Sequence, residues 1–185
     1  MAYLTHNYFR YFGKFPSTVA KKLIEQYAPS DKDFVVDTMV GSGTTLVEAA
    51  LAKRRAMGFD INPFSVLLSK VKTTKIKINV LDSTFNTMKK NFGKSTKKNL
   101  KRFIPKMQNI DHWFDKRVQK ELAEIKSEIL NLKDENFRDF FLVCFSAILR
   151  RASCAGSQTG RIFHDKNWIY RNPYDLFEKQ FKIMR

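Results

Sequence analysis

Acidic residues are scarce in this sequence. Asp and Glu number 18 against 34 Lys and Arg, which leaves a formal net charge of +16. A basic excess of that size serves a polyanion through release of condensed counterions, so nucleic acid is the leading partner. The bland alternative is lysine-rich composition inherited from A/T-rich codons. Cysteine is equally sparse, with only Cys144 in an apolar helical stretch and Cys154 among small residues. With no CxxC and no His/Cys ligand spacing, a disulfide framework and a structural zinc site are excluded, and reduced, metal-free thiols are expected. No apolar run approaches the roughly 20 residues of a membrane-spanning helix, and the opening MAYLTHNYFRYFGKFP lacks the apolar stretch of a secretion signal. A cytoplasmic protein with no membrane partner is the expectation. What is present is ordinary for a folded protein: 43% hydrophobic and 28% charged residues over 185 positions, enough for one compact domain and an appendage. No internal repeat occurs.

An aromatic-rich opening leads into PSTVAKKLIEQYA, where Val19, Leu23, Ile24 and Tyr27 share one face and predict a helix over 17–28. Pro29, Ser30 and Asp31 break it. The apolar run Phe34, Val35, Val36 then reads as a buried parallel strand ending at Asp37. A glycine turn, Gly41-Ser42-Gly43, follows, and TTLVEAALAK suits a helix capped near Thr44. Arg55 to Phe59 predicts a second strand closing on Asp60, and Pro63 sits at the first turn of a third helix. The order is β-α-β-α. Beyond Lys70 lysines alternate with apolar residues, and the stretch from Lys89 to Lys106 holds no acidic residue, which reads as an exposed insertion. Apolar positions at helical spacing return from Val118 to Leu132 and from Phe137 to Ile148, predicting two packed helices. The tail starts small and polar and ends in a helical candidate from Leu176 to Met184.

The chemistry concentrates in FVVDTMVGSGTTLVEAALAKRRAMGFDINPFS. Glycines after a strand let a ligand approach the backbone, while the amides and dipole of the next helix favour negative charge. Asp60, at the end of the following strand, stands where a carboxylate accepts hydrogen bonds from ribose hydroxyls. A P-loop needs a lysine after the last glycine, but Thr44 and Thr45 follow Gly43. A dinucleotide site wants a third glycine where this sequence has Leu46. S-adenosylmethionine, with one carboxylate, one ribose and no phosphate, suits the shorter turn. Duller readings stand beside these: Asp37 can cap the turn after its strand, Glu48 reads as a solvated helix residue, and the amino-terminal aromatics read as ordinary core.

The pattern D-x-x-x-GSGTT-x-x-EA followed by G-x-DINP resembles the cofactor motifs of DNA methyltransferases that modify an exocyclic amine, cytosine N4 in preference to adenine N6. The segment HNYFRYFGKFPSTVAKKLI is similar to the part of that family closing over the methionine end of the cofactor, with Phe15 and Pro16 at its characteristic positions. The resemblance is strong to about Thr73. It implies a cofactor set of Phe15, Pro16, Asp37, Gly41, Gly43, Thr44, Thr45, Asp60 and Ile61, S-adenosylmethionine as cofactor, and double-stranded DNA as substrate. Asp37-Thr38-Met39 departs from the family's Asp-Pro-Phe. The basic stretch supplies the DNA-binding candidates Lys89, Lys90, Lys94, Lys97, Lys98, Lys101 and Arg102, which would track phosphates without reading sequence.

The family's catalytic tetrapeptide, Asp, Asn or Ser followed by Pro-Pro-Tyr or Pro-Pro-Phe, does not occur in this sequence. Arg171-Asn172-Pro173-Tyr174 is a lookalike lacking one proline, so no catalytic residue is assigned. Neither cysteine follows a proline, which disfavours carbon-5 cytosine chemistry. The expected fold is an α/β, Rossmann-like methyltransferase fold with an incomplete sheet and a helical, basic insertion: residues 1–75 as the cofactor-binding part, 76–110 as the insertion and 111–185 as a mainly helical part. A parallel sheet this small leaves open edges and an uncovered face, so a completing partner is expected, either a second polypeptide carrying the catalytic motif or the missing part of a truncated gene product. Alternatives are a tRNA guanine amine methyltransferase fragment and a non-catalytic basic nucleic-acid-binding remnant.

Overall fold

The computed structural model describes residues 4–94, 100–158 and 161–185. The chain forms two compact units that divide between Lys75 and Ile76.

In the first unit a 3-10 turn at Leu4–Asn7 is followed by α1 (Ser17–Tyr27), β1 (Phe34–Asp37), α2 (Thr44–Leu51), β2 (Arg55–Gly58) and α3 (Pro63–Thr73). Pro16, with its fixed φ of −63°, stands at the N-cap of α1, and Asn62 caps α3 by accepting from the Phe64 amide with Pro63 at the first helical position. The strands pair in parallel, Phe34 opposite Arg55 and Val36 opposite Met57. Ile24 and Ala28 meet Ala49 of α2, with Val35, Ala52 and Ala56 packed against them, so small side chains bring helices and strands close. The Arg54 guanidinium donates to the carbonyls of Ala28, Pro29 and Ala52, which closes the carboxyl end of α1 and the turn into β2.

One expectation fails here. The Phe34 to Val36 run is parallel but not buried: Phe34 and Val36 are about half exposed, as is Met57 on β2. The physical reason is the size of the sheet. Val35 and Ala56 point into the core with α1 and α2, and among the described residues of this unit only two strands form, so the alternate positions face outward.

The second unit comprises α4 (Ile78–Asn91), a 3-10 turn at Leu100–Phe103, α5 (Ile110–Trp113), α6 (Lys116–Leu130), α7 (Glu135–Ala152), an antiparallel hairpin of β3 (Ala155–Gln158) and β4 (Arg161–His164), and α8 (Pro173–Met184). Asp115, Asp134 and Asn172 cap α6, α7 and α8 by accepting amides at the second or third helical position. The core is aromatic: Phe85 stacks on Phe181 with ring centroids 4.0 Å apart, and Phe141 and Phe177 lie fully buried beside them. Cys144, also fully buried, points its thiol at the Phe177 carbonyl, and burial pushes that thiol well up. The periodic positions Val118, Leu122, Ile125 and Ile129 of α6 are buried as their spacing predicts. Within the 76–110 stretch read as an exposed insertion, Leu81, Phe85 and Met88 of α4 recur at helical spacing and are buried. The hairpin was not expected from the sequence, and all four residues of β4 are exposed, so no buried alternation marks it. Among the described residues no helix is long and apolar enough to cross a membrane.

Candidate functional site

A cleft of about 410 Å³ opens in the first unit at the carboxyl end of β1. Its wall includes Tyr11, Lys14 and Phe15 from the segment before α1, Asp37 to Val40 after β1, and Gly41, Ser42, Thr44 and Thr45 of the glycine turn. The turn has few places for a side chain to go. Gly43 has φ +75°, and a Cβ there would lie 2.7 Å from the Ser69 Cβ and 2.8 Å from the Ser69 Cα, so only glycine lets α3 pack beneath the start of α2. Gly41, at φ +49°, rests on the Tyr11 ring, whose hydroxyl shares a 3.0 Å hydrogen bond with Ser65.

Asp60 fixes the turn from the end of β2. Its Oδ2 accepts the Gly41 amide at 2.8 Å and its Oδ1 accepts the Asn62 amide at 2.8 Å. Those two amides, Asn62 first, hold the carboxyl below the usual carboxylate range. The Ser65 side chain adds a smaller hydrogen-bonding contribution, and the carboxylate keeps one further acceptor position. Opposite Asp60, the backbone closes on itself through Val40 N–H to Phe59 O and Gly43 N–H to Val40 O, both 2.8 Å. The first-turn amides of α2 are left without intrahelical acceptors and sit at the positive end of its dipole.

Phe15, Asp37, Gly41, Thr44 and Thr45 are thus brought together in the cleft wall. Pro16, Gly43, Asp60 and Ile61 do not line it: Pro16 precedes α1 at its N-cap, Gly43 is turned against Ser69, Asp60 holds the turn from the end of β2, and Ile61 projects with its side chain wholly exposed at 101%. Among the basic candidates, Lys89 and Lys90 end α4, Lys94 follows it, and Lys101 and Arg102 lie in the 3-10 turn. Lys90, Lys94, Lys101 and Arg102 are exposed, while Lys89 donates to Glu178 at 2.7 Å. Lys97 and Lys98 fall outside the described residues.

The reading of Glu48 as a solvated helix residue is corrected by the structure. Glu48 is 3% exposed and its Oε1 lies 2.7 Å from Nε2 of His6, which is 1% exposed. Burial lowers the His6 pKa against the opposing pull of the Glu48 hydrogen bond. Sequence reasoning also left out Lys14, which donates to the His6 carbonyl at 2.9 Å, and Lys72, which is 4% exposed and donates to the Ser42 carbonyl at 2.7 Å. Spacing held the signal for Lys72. Ser65, Leu68, Ser69 and Lys72 fall on one helical face of α3, and all four are buried.

The tetrapeptide lookalike is occupied structurally. Asn172 Oδ1 accepts the Tyr174 amide as the N-cap of α8, Pro173 takes the first helical position, and the Tyr174 hydroxyl donates to Glu124 Oε2 at 2.6 Å. Tyr170 likewise donates to Glu121, with the Arg117 guanidinium 4.1 Å over its ring.

Comparison with known proteins decides the family. The DNA methylase family model, of the N6/N4 type, matches residues 3–71, the stretch that contains the whole cleft. The amino-terminal unit belongs to the DNA methylase family. Among curated proteins, the Type II methyltransferase M.MvaI of Kocuria varians is 33% identical over 158 residues, covering 81% of this chain and 35% of its own. The Type II methyltransferase M.MjaII of Methanocaldococcus jannaschii is 26% identical over 172 residues, covering 90% of this chain and 32% of its own. The chain therefore spans about a third of the length of these relatives. Their likeness continues past the family match into the helical unit. No solved structure matches the chain.

Proposed function

We propose that this chain is the S-adenosylmethionine-binding part of a site-specific DNA methyltransferase of Rossmann-like fold, acting on an exocyclic amine, cytosine N4 in preference to adenine N6. The observation that carries the reading is the glycine turn. Gly41 at its positive φ, tied to Asp60, and the open start of α2 form one wall of a cleft whose charged side chains, Lys14 and Asp37, have opposite sign. That set fits a zwitterionic amino acid joined to a nucleoside: the Lys14 ammonium and the α2 amides for the carboxylate, Asp37 for the amine. Asp60 has an acceptor position left for a ribose hydroxyl, and the bare Ile61 side chain beside it offers an apolar surface to an adenine ring. Phe15, at 44% exposed, can cover the methionine end.

When bound, the cofactor supplies an activated methyl group to the amine. The chain's own residues bind it, orient it and keep its charged end out of bulk water. Positioning of the base falls to a Pro-Pro-Tyr or Pro-Pro-Phe strand, and this sequence holds none. Asn172 and Tyr174 are already committed to a helix cap and to Glu124, which supports a base-holding group supplied by further sequence or by a second polypeptide. The half-exposed face of β1 and β2 supports the same reading, since parallel sheets are covered on both faces. Exposed Lys90, Lys94, Lys101 and Arg102 suit DNA phosphates. Tritium transfer from labelled S-adenosylmethionine to DNA tests the proposal: the chain alone should transfer nothing and should gain activity when mixed with a polypeptide bearing the tetrapeptide strand. Transfer by the chain alone, abolished in Asn172→Ala and Tyr174→Ala, would overturn it.

A further inference from the structure

Lys72 occupies an unusual position for a lysine. Its side chain lies beneath the glycine turn at 4% exposed, on the face of α3 that also carries Ser69, the residue against which Gly43 is pressed. The Nζ atom donates to the Ser42 carbonyl at 2.7 Å. No carboxylate lies within ion-pairing distance of it among the described residues, although three other titratable groups surround this corner. Lys14 reaches in from the segment before α1, His6 from the 3-10 turn, and Glu48 from α2, the last two bonded to each other. Burying an ammonium without a counterion costs stability, and a methionine of similar size would avoid that cost. A fold that keeps the charge there gains something else from it.

We infer that Lys72 is a positioning residue of the cleft, holding the Ser42 peptide so that the turn directs the first-turn amides of α2 at a carboxylate, with a charge that is compensated when that carboxylate binds. The ligand class is an α-amino acid carboxylate attached to a nucleoside, so the inference rests on the S-adenosylmethionine reading. The geometry accounts for the role. The Gly41 amide is tied to Asp60 on one side of Ser42, and the Ser42 carbonyl is tied to Lys72 on the other, so the peptide that enters α2 cannot rotate. A charge-assisted hydrogen bond to that carbonyl also polarises the Ser42–Gly43 peptide and so strengthens the Gly43 N–H to Val40 O bond that closes the turn. Lys14 lines the same cleft and adds a second positive charge.

The titration of Lys72 supports this placement. Burial, with a smaller contribution from the Lys14 charge, pushes its pKa down to about 8. The charge that helps the carboxylate is therefore lost just above neutral pH. His6, whose pKa is lowered, is already neutral in that range and does not confuse the readout.

Three nucleosides separate the possibilities by calorimetry on the full chain: S-adenosylhomocysteine, its des-amino analogue that keeps the carboxylate and has no amine to titrate, and 5′-methylthioadenosine, which lacks the amino acid. Lys72→Met should weaken both carboxylate ligands by tenfold or more while leaving 5′-methylthioadenosine within about twofold, and Lys72→Arg should restore part of the loss. Thermal unfolding of Lys72→Met should occur no lower than in the unsubstituted chain, because an unpaired buried charge has been removed. In the unsubstituted chain the preference for the des-amino analogue over 5′-methylthioadenosine should fall several-fold between pH 7 and 9. That last measurement stands even if Lys72→Met fails to fold, and its persistence in Lys14→Met separates Lys72 from Lys14, whose pKa is also lowered by burial. Equal weakening of all three ligands, or a preference that does not change with pH, would overturn the role of Lys72. Absence of binding by every nucleoside would instead remove the cofactor reading, and this inference with it.

Discussion

Gly43→Ala should be the most damaging single methyl group that the cleft can receive. At φ +75° an alanine takes on the left-handed penalty, about 1 to 2 kcal/mol, offset by a few tenths through the less flexible unfolded chain. Steric overlap adds to this. The new Cβ would stand 2.7 and 2.8 Å from the Cβ and Cα of Ser69. Relief requires a shift of a backbone atom on a packed helix, for which overpacking costs of about 1 to 3 kcal/mol are usual. The sum is roughly 2 to 4 kcal/mol, a large share of what a small unit has. Gly41→Ala is the internal control. Its φ is +49° but its Cβ meets only the Tyr11 ring at an ordinary 3.5 Å, so about 1 to 2 kcal/mol is expected. Because the two units need not unfold together, the assay is hydrogen exchange followed on peptides of α2 and α3, which reports the first unit by itself. Protection should fall far more for Gly43→Ala than for Gly41→Ala. Equal protection in the two variants would refute the claim that α3 packs against the turn through Gly43.

Other outcomes follow from the same structure. Asp60→Ala should loosen the turn and weaken S-adenosylmethionine binding measured by calorimetry, and unchanged affinity would remove Asp60 from the site. Since its carboxyl is depressed in the folded chain, its contribution is present above the usual carboxylate range and is lost as pH falls through and below that range, so the protection of the Gly41 amide relative to its intrinsic exchange rate should fall there in the unsubstituted chain and not in Asp60→Ala. Replacing Lys90, Lys94, Lys101 and Arg102 together by glutamine should lower the log–log salt dependence of duplex DNA binding by up to about 3 to 4, near 0.9 for each phosphate that is no longer neutralised. An unaltered slope would place the DNA surface elsewhere, whereas Lys89→Gln should do little because that ammonium is held by Glu178. Tyr174→Phe leaves a buried Glu124 without its hydroxyl donor and should destabilise the helical unit by about 1 to 3 kcal/mol in denaturant titrations.

How far the sequence could be read depended on whether a residue's role was set locally. The β-α-β-α order followed from short apolar runs, a glycine turn and Pro63 at the first turn of α3, all local features. The grouping of Phe15 with Asp37, Gly41, Thr44 and Thr45 rested on a motif whose glycines leave little conformational choice. What stayed hidden needed tertiary partners. Glu48 looks solvated until His6, far away in sequence, is placed against it. Lys72 looks like one more surface lysine until α3 is laid under the turn. The half-exposed faces of Phe34 and Val36 depend on how many strands assemble, which a single apolar run does not encode. Helix α4 was masked by the lysines on either side of its buried positions Leu81, Phe85 and Met88.

The central claim is that the glycine-turn cleft holds S-adenosylmethionine, and calorimetric titration of the cofactor into the full chain tests it most directly. Saturable binding at one site per chain, weakened in Asp60→Ala, is the predicted result. A folded chain that takes up no cofactor, or takes it up equally well in that variant, would contradict the account.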